Sequence, residues 1–360
     1  MPLYRIARLL TIAAAALPLT SCYLMQAASG QMSISSKREP IAAVLADTST
    51  PPQLRSRLEY VAAARDFASR ELGLPDNDSY RSYADLGRPY VVWNVFAAAE
   101  FSVEPRRWCF PIAGCVVYRG YFNEEAAQSY ARKLRRRGAD VAVGGVAAYS
   151  TLGHFKDPVL STMLTWSDAQ LAATLFHELA HQVVYVPGDS EFNESFATVV
   201  EEAGLERWLA ARQRTQDLVV WQQQRERQSQ FISLLLRTRN KLSELYGSTL
   251  PDDEKRSRKQ YEFGELKLEY AQLREQWHGY PGYDRWFDRT LNNAHLVSAA
   301  TYYGCVPGLQ RVLSEQGGDL PRFYEAAKKL ARMDKDARAL AVCGAVSPPG
   351  TPTASDRAGS

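Results

Sequence analysis

The sequence predicts an α+β fold, mainly helical, with one small mixed sheet and a long antiparallel helical hairpin. Three patterns predict it. Strand-like apolar runs are confined to residues 91–146. Apolar residues at helical spacing fill most of the remainder. Two long polar helical stretches within 206–277 flank the turn Gly247-Ser248-Thr249-Leu250-Pro251. With 46 % hydrophobic and 23 % charged residues, the chain has an ordinary globular profile. Its 360 residues suffice for one large domain or two modest ones. The net charge is +3, and it falls to +1 once the first 21 residues, with Arg5 and Arg8, are removed. That balance gives no case for a nucleic-acid partner.

The elements follow in order. Arg5 and Arg8 precede an apolar run from Leu9 to Leu19, which reads as a secretory signal over 1–21. The run is too short to span a membrane well. It ends Leu19-Thr20-Ser21-Cys22, which resembles the bacterial lipobox. The resemblance implies cleavage before Cys22 and acylation of its thiol and amine. Several acyl chains anchor stably where one does not. Tyr23, rather than Asp, follows the cysteine. By analogy that favours the periplasmic face of the outer membrane in a bacterial cell envelope. Residues 22–50 read as a tether with short ordered pieces. Leu54, Leu58, Val61, Ala62, Phe67 and Leu72 then recur near helical spacing after Pro51-Pro52, and Gly73 to Asn77 stops that helix.

Val91 to Phe96 and Val116 to Phe122 are strand-like. Glu124 to Arg137 is a helix, with a cationic C-terminal end that suits the helix dipole. Asp140 to Val146 is a third strand. The order strand, strand, helix, strand suggests a mixed sheet with one right-handed crossover. Residues 146–153 are expected to form a sheet edge able to pair with an extended peptide. Ser150 lacks a G-x-S-x-G context and is not a nucleophile candidate. His154 is either a surface group or a support for a site.

Ser167-Asp168 is a helix N-cap, and the helix is expected to run to Val186. It contains His177-Glu178-Leu179-Ala180-His181. Residues i and i+4 share a helix face, so two imidazoles can grip one metal ion. Glu178 then lies close enough to act as general base. With only five His in the chain, a chance match is rare, about 0.005 expected. Pro187-Gly188-Asp189 breaks the helix, and a second helix starts near Ser190 to Asn193. This reversal can return Glu194 as a third ligand, with Glu191, Glu201 and Glu202 as rivals. A catalytic zinc keeps its fourth position open, whereas a structural zinc is closed by four protein ligands. An envelope endopeptidase and a non-catalytic lipoprotein scaffold with a structural zinc are the rival readings.

Residues 206–277 form the hairpin. Residues 281–345 read as a helical part completing the cleft, and 346–360 as a disordered tail. Tyr302 and Tyr303, with His295, are candidates to donate to an oxyanion. Cys109, Cys115, Cys305 and Cys343 allow three disulfide pairings. Cys109 with Cys115 is the local one, which leaves Cys305 with Cys343.

Several separated stretches together resemble one family, bacterial lipoproteins assigned as zinc-dependent aminopeptidases of gluzincin type. The carriers are Cys22 with Gln26 to Gln31, Trp108 to Cys115, and Tyr118 to Phe122. To these add Ala148 to Gly153, His177 to Gln182, Phe192 to Thr198, and Asn292-Asn293-Ala294. Asn193-Glu194-Ser195-Phe196-Ala197 is similar to the second gluzincin motif. The resemblance implies a zincin-like catalytic core over 51–205 and one Zn2+ held by His177, His181 and Glu194. It also implies Glu178 as catalytic base and a peptide as substrate. The Gly-x-Met-Glu-Asn motif of gluzincin aminopeptidases is absent from the sequence.

Overall fold

The computed structural model describes residues 23, 25–110, 114–148, 150–151, 155–297 and 305–343. The signal, Cys22, His154, Tyr302, Tyr303 and the tail lie outside them. Helix outweighs strand, 61 % to 10 %, so the α+β, mainly helical class holds. The helices are α1 (25–36), α2 (Ile41–Ala46), α3 (Pro52–Arg70), α4 (Glu124–Arg135), α5 (Asp168–Ala180), α6 (Ser190–Ala211), α7 (Thr215–Gly247), α8 (Asp252–Gln276), α9 (Asp284–Phe287), α10 (Asn293–Val297), α11 (Val306–Glu315), α12 (Leu320–Ala331) and α13 (Lys335–Val342). The strands are β1 (Arg38–Pro40), β2 (Ser82–Ala84), β3 (Val92–Ala98), β4 (Trp108–Phe110), β5 (Gly114–Val116), β6 (Arg119–Tyr121), β7 (Asp140–Val146) and β8 (Val159–Leu160). Among the described residues no helix is long and apolar enough to cross a membrane.

The sheet read from residues 91–146 is antiparallel between neighbours, in the order β6-β3-β7. β6 and β7 flank β3 and run the same way, and α4 lies between them in sequence. The expected mixed sheet is instead β1-β2-β8, where β2 pairs antiparallel with β1 and parallel with β8. Periodicity cannot choose between these arrangements, because strand pairing partners are set by long-range packing. The run 116–122 is also split between β5 and β6.

Three apolar clusters organise the described residues. The largest gathers α3, α5, α6 and the C-terminal helices around Leu58, Phe176, Phe192, Phe196 and Phe323, each fully buried. Gly204 lets α6 lie close there, since a Cβ at that position would stand 2.8 Å from Leu72 and 3.1 Å from Phe176. A second cluster joins the α7–α8 hairpin to α9 and α10 through Phe231, Leu235, Leu266, Tyr270 and Phe287. A third lies between α4 and the β6-β3-β7 sheet. The hairpin is tied to that sheet by polar contacts, including Lys259 to Asp140 at 2.6 Å and Arg256 to Glu100 at 2.7 Å. It is therefore part of the body rather than a free arm. Its first helix starts at Thr215, not near 206, because α6 continues to Ala211. Gln213, at φ 57°, makes the corner.

Both disulfides expected from spacing are present. Cys109 pairs with Cys115 across the β4–β5 ladder, and Cys305 pairs with Cys343, joining the start of α11 to the end of α13. Such bridges typically stabilise by about 2–4 kcal/mol.

The helix that carries the paired histidines is capped as expected. The Ser167 hydroxyl accepts from Gln170 N at 3.2 Å, and the Gln170 side chain accepts from Ser167 N at 3.3 Å. This reciprocal box satisfies two otherwise orphaned donors. Ser167→Ala is expected to cost about 1 kcal/mol in denaturant unfolding. An unchanged midpoint and slope would show that the cap contributes nothing.

Candidate metal centre

α5 stops at Ala180, with His181 as its C-cap, rather than continuing to Val186. Gln182 N and Val183 N turn inward to Leu179 O and Ala180 O at 3.1 and 2.9 Å, tightening the last turn. Even so, His177 and His181 still share a face, with ring centroids 4.8 Å apart.

The return to α6 is locked by residues that the metal-ligand pattern does not reveal. Gly188 adopts φ +79°, which an L side chain strongly disfavours. The Asp189 carboxylate caps α6 by accepting from Phe192 N at 3.3 Å. Asn193, only 2 % exposed, grips both polar groups of Val186. Its Oδ1 accepts from Val186 N, and its Nδ2 donates to Val186 O, each at 2.8 Å. The buried pair of Asp189 with Arg338 on α13, at 2.7 Å, ties the same corner to the C-terminal helices. In the Asn-Glu-Ser-Phe-Ala stretch, then, Asn193 shapes the connection and the next residue, Glu194, faces the histidines.

His177, His181 and Glu194 form a group able to hold a metal ion, their ligand atoms all within 4.8 Å of one another. Glu194 Oε2 stands 3.4 Å from His177 Nε2, and Oε1 stands 3.8 Å from His181 Nε2. Ligand atoms about 2.1 Å from a tetrahedral ion stand ~3.4 Å from one another. The shortest separation matches that edge and the rest, up to 4.8 Å, are wider, so the three side chains fit one ion once they draw in around it. Burial drives the His181 imidazole down to about 4, which leaves it neutral with a lone pair to offer. Burial also opposes charge on His177, but its hydrogen bonds to Glu194 and Glu201 outweigh this and raise it to about 10. Burial raises Glu194, yet the hydrogen bond to His177 and the field of His181 bring it below the usual range.

Glu201 was a rival ligand in the sequence. The structure gives it a different role, because its carboxylate pairs with His177 Nδ1 at 3.0 Å, leaving Nε2 toward Glu194. A carboxylate behind a metal-binding imidazole fixes its tautomer and orientation. The signal was present, since Glu201 follows Glu194 by two helical turns on the same face. Glu201→Gln is expected to weaken metal binding by ~10–100-fold while keeping the fold, read by chelator competition. Equal affinity would leave Glu201 no part in the site. The other rivals are elsewhere: Glu202 pairs with Arg225 and accepts from Gln310 at 2.8 Å, and Glu191 lies near Asp189 and Lys335.

Glu178 sits beside this group, toward Ser150, whose hydroxyl is within its hydrogen-bonding reach. Burial and the negative field of Glu194 raise Glu178, His177 opposes them, and the net value is about 7. Ser150 also donates to Asp157 Oδ2 at 3.3 Å, while Thr151 N donates to the same oxygen at 2.8 Å. The expected strand edge over 146–153 ends at Val146. Beyond it, Ala147 O accepts from Thr162 Oγ1 and Thr151 N is taken by Asp157. Those two backbone groups are engaged by side chains rather than by a neighbouring strand. Tyr149 and residues 152–154 lie outside the described residues.

A cleft of about 530 Å3 opens on His177, Glu194 and Glu201. Trp166, Gln170 and Thr174 line it, and α7 closes the far wall with Trp221, Gln224, Arg225 and Gln228. Tyr280 and Tyr283 complete it among the described residues, which do not include Tyr302 and Tyr303. His295 does not line it. That residue is buried beside Trp286 and pairs with Asn292 at 3.1 Å, because α10 packs in the hairpin's cluster.

Fold and site together define a mainly helical α+β protein whose antiparallel helix pair presents a His/His/Glu group able to hold a metal ion. The model of a family described as "Putative aminopeptidase" matches residues 22–342, and the chain belongs to that family. Membership points to peptidase activity, and so to a hydrolase. No curated protein and no solved structure gives a significant match.

Proposed function

We propose that the protein is a zinc-dependent peptidase, an aminopeptidase by its family, attached to the bacterial envelope through an acylated Cys22. The observation that carries the zinc reading is the gathering of three ligand atoms within 4.8 Å, and Glu178 lies within the field of His177 and Glu194. When bound, zinc supplies Lewis acidity, lowering the pKa of a coordinated water toward ~7 and polarising a carbonyl. The chain's own residues do the rest. Glu178, at about 7, takes a proton from the attacking water and returns it to the leaving amine. Glu201 keeps His177 Nδ1 engaged, so that ring stays oriented through the cycle. Trp221, Gln224 and Gln228 offer the substrate an apolar face and amide partners. Tyr280 and Tyr283, on the cleft wall, are the candidates among the described residues to donate to the oxyanion. Three protein ligands among the described residues favour an open catalytic site over a closed structural one.

One observation favours an endopeptidase. Among the described residues lining the cleft, the carboxylates are Glu194 and Glu201, and both are committed to the histidines. Neither is free to receive a substrate ammonium. Metal analysis of the soluble part, combined with free and N-blocked peptides, tests both readings. One zinc per chain and cleavage of free peptides alone are expected of an aminopeptidase. Cleavage of blocked peptides would remove that label and keep the peptidase. A metal-free, inactive protein after zinc loading would remove both.

A further inference from the structure

We propose that α1 is a rigid membrane seat, its exposed Met25–Met32 face lying in the interfacial layer of the bilayer that receives the Cys22 acyl chains. The proposal rests on the reading of Cys22 as the lipidated residue. The chain is held to the body from the very next position. Tyr23 meets the Tyr121 ring edge-on at 5.7 Å, and the Arg119 guanidinium lies 4.1 Å from the Tyr23 centroid. Arg119 also lies 4.6 Å from the Tyr130 ring, so a half-buried cation locks the three aromatic rings together. Gln26 clamps the end of β6 with both ends of its amide, donating to Gly120 O and accepting from Phe122 N, each at 3.2 Å. Gly30 sits so close to Phe122 that a Cβ there would overlap its ring at 2.1 Å. Ile34, 2 % exposed, then anchors the far end in the main core. The described part of the helix is pinned at Gln26, Gly30 and Ile34.

Its outer face is unlike a solvated helix face. The exposed positions are Met25, Ala28, Ser29, Met32, Ser33 and Ser36, spaced as one helical stripe and carrying no charge. Met25 and Met32 are 69 % and 70 % exposed. One exposed apolar residue needs no explanation, but two on an uncharged stripe beside an acylation site do. Three residues of chain reach at most about 11 Å, so acyl chains on Cys22 bring the lipid surface within that distance of Met25. Met32 follows ~10 Å along the axis. Burying this face ~5–10 Å into the headgroup boundary would also fix how the metal cleft faces the membrane.

The test uses the full lipidated chain in phosphatidylethanolamine–phosphatidylglycerol vesicles. Nitroxide labels are placed through Met25→Cys, Met32→Cys and, on the 63 % exposed hairpin position, Tyr261→Cys. The four other cysteines are paired in disulfides and leave the introduced thiol free to react. In vesicles, the labels at 25 and 32 should lose collisions with a water-soluble nickel chelate and gain collisions with oxygen. The label at 261 should not change. Vesicle-bound protein whose labels at 25 and 32 stay as accessible to nickel as 261 overturns the seat and leaves the anchor standing. Failure to partition at all removes the Cys22 reading and the seat with it, while peptidase activity is judged separately. Shielding of 25 and 32 already in a soluble Cys22→Ser form, with spin–spin broadening, assigns the face to a second copy of this chain and overturns the proposal.

Discussion

Glu178→Gln is expected to keep the bound metal and to lose hydrolysis by about 10²–10⁴-fold. The amide has the shape of the carboxylate but cannot accept the proton. It removes no ligand, because the group that can hold the ion is His177, His181 and Glu194. The surroundings of Glu178 suit this role. Burial raises its carboxyl to about 7, where proton uptake and release near neutral pH are both accessible. Metal content and turnover, measured on one preparation, separate the two effects. A variant that turns over at the wild-type rate would refute the assignment. A variant that loses its metal as well would show that Glu178 belongs to the ligand set.

Glu194→Ala is expected to empty the site. Perturbing a partner behind a ligand typically weakens metal binding by ~10–100-fold, and removing the anionic ligand itself should exceed that. The loss also leaves His177 and His181 as two adjacent imidazoles without their shared carboxylate, which stands 3.4 and 3.8 Å from them. The fold should survive, because the α5–α6 corner is held by Asp189 and Asn193 rather than by the ion. Metal analysis after dialysis, with circular dichroism as the control for folding, reads the result. Full metal occupancy in the variant would move the third-ligand role to another acid.

Much of the fold was legible because its signals are local. The Ser167 cap, the start of α4 at Glu124 and the Gly188 corner act over a few residues, so composition at those positions foretells them. β3 and β7 were readable for the same reason. The end of α5 and the course of residues 147–151 were not. Both depend on where backbone groups find partners: Asn193 for Val186 beyond α5, and Thr162 and Asp157 for Ala147 and Thr151. The cleft was legible only on its metal side. Its far wall comes from Trp221 and Arg225 on α7 and from Tyr280 and Tyr283 after α8, which approach His177 only when the hairpin packs home.

The sequence by itself determined two imidazoles one helical turn apart, a glutamate between them, and a set of acids after a chain reversal from which a third ligand could come. That much follows from the pitch of a helix and the identity of its side chains. Tertiary structure alone decided that Glu201 backs His177 while Glu202 turns to Arg225, and that the N-terminal helix is clamped to β6 instead of hanging free. Helical pitch is fixed by backbone hydrogen bonds within the element. Which acid reaches which ring is settled by how whole elements pack.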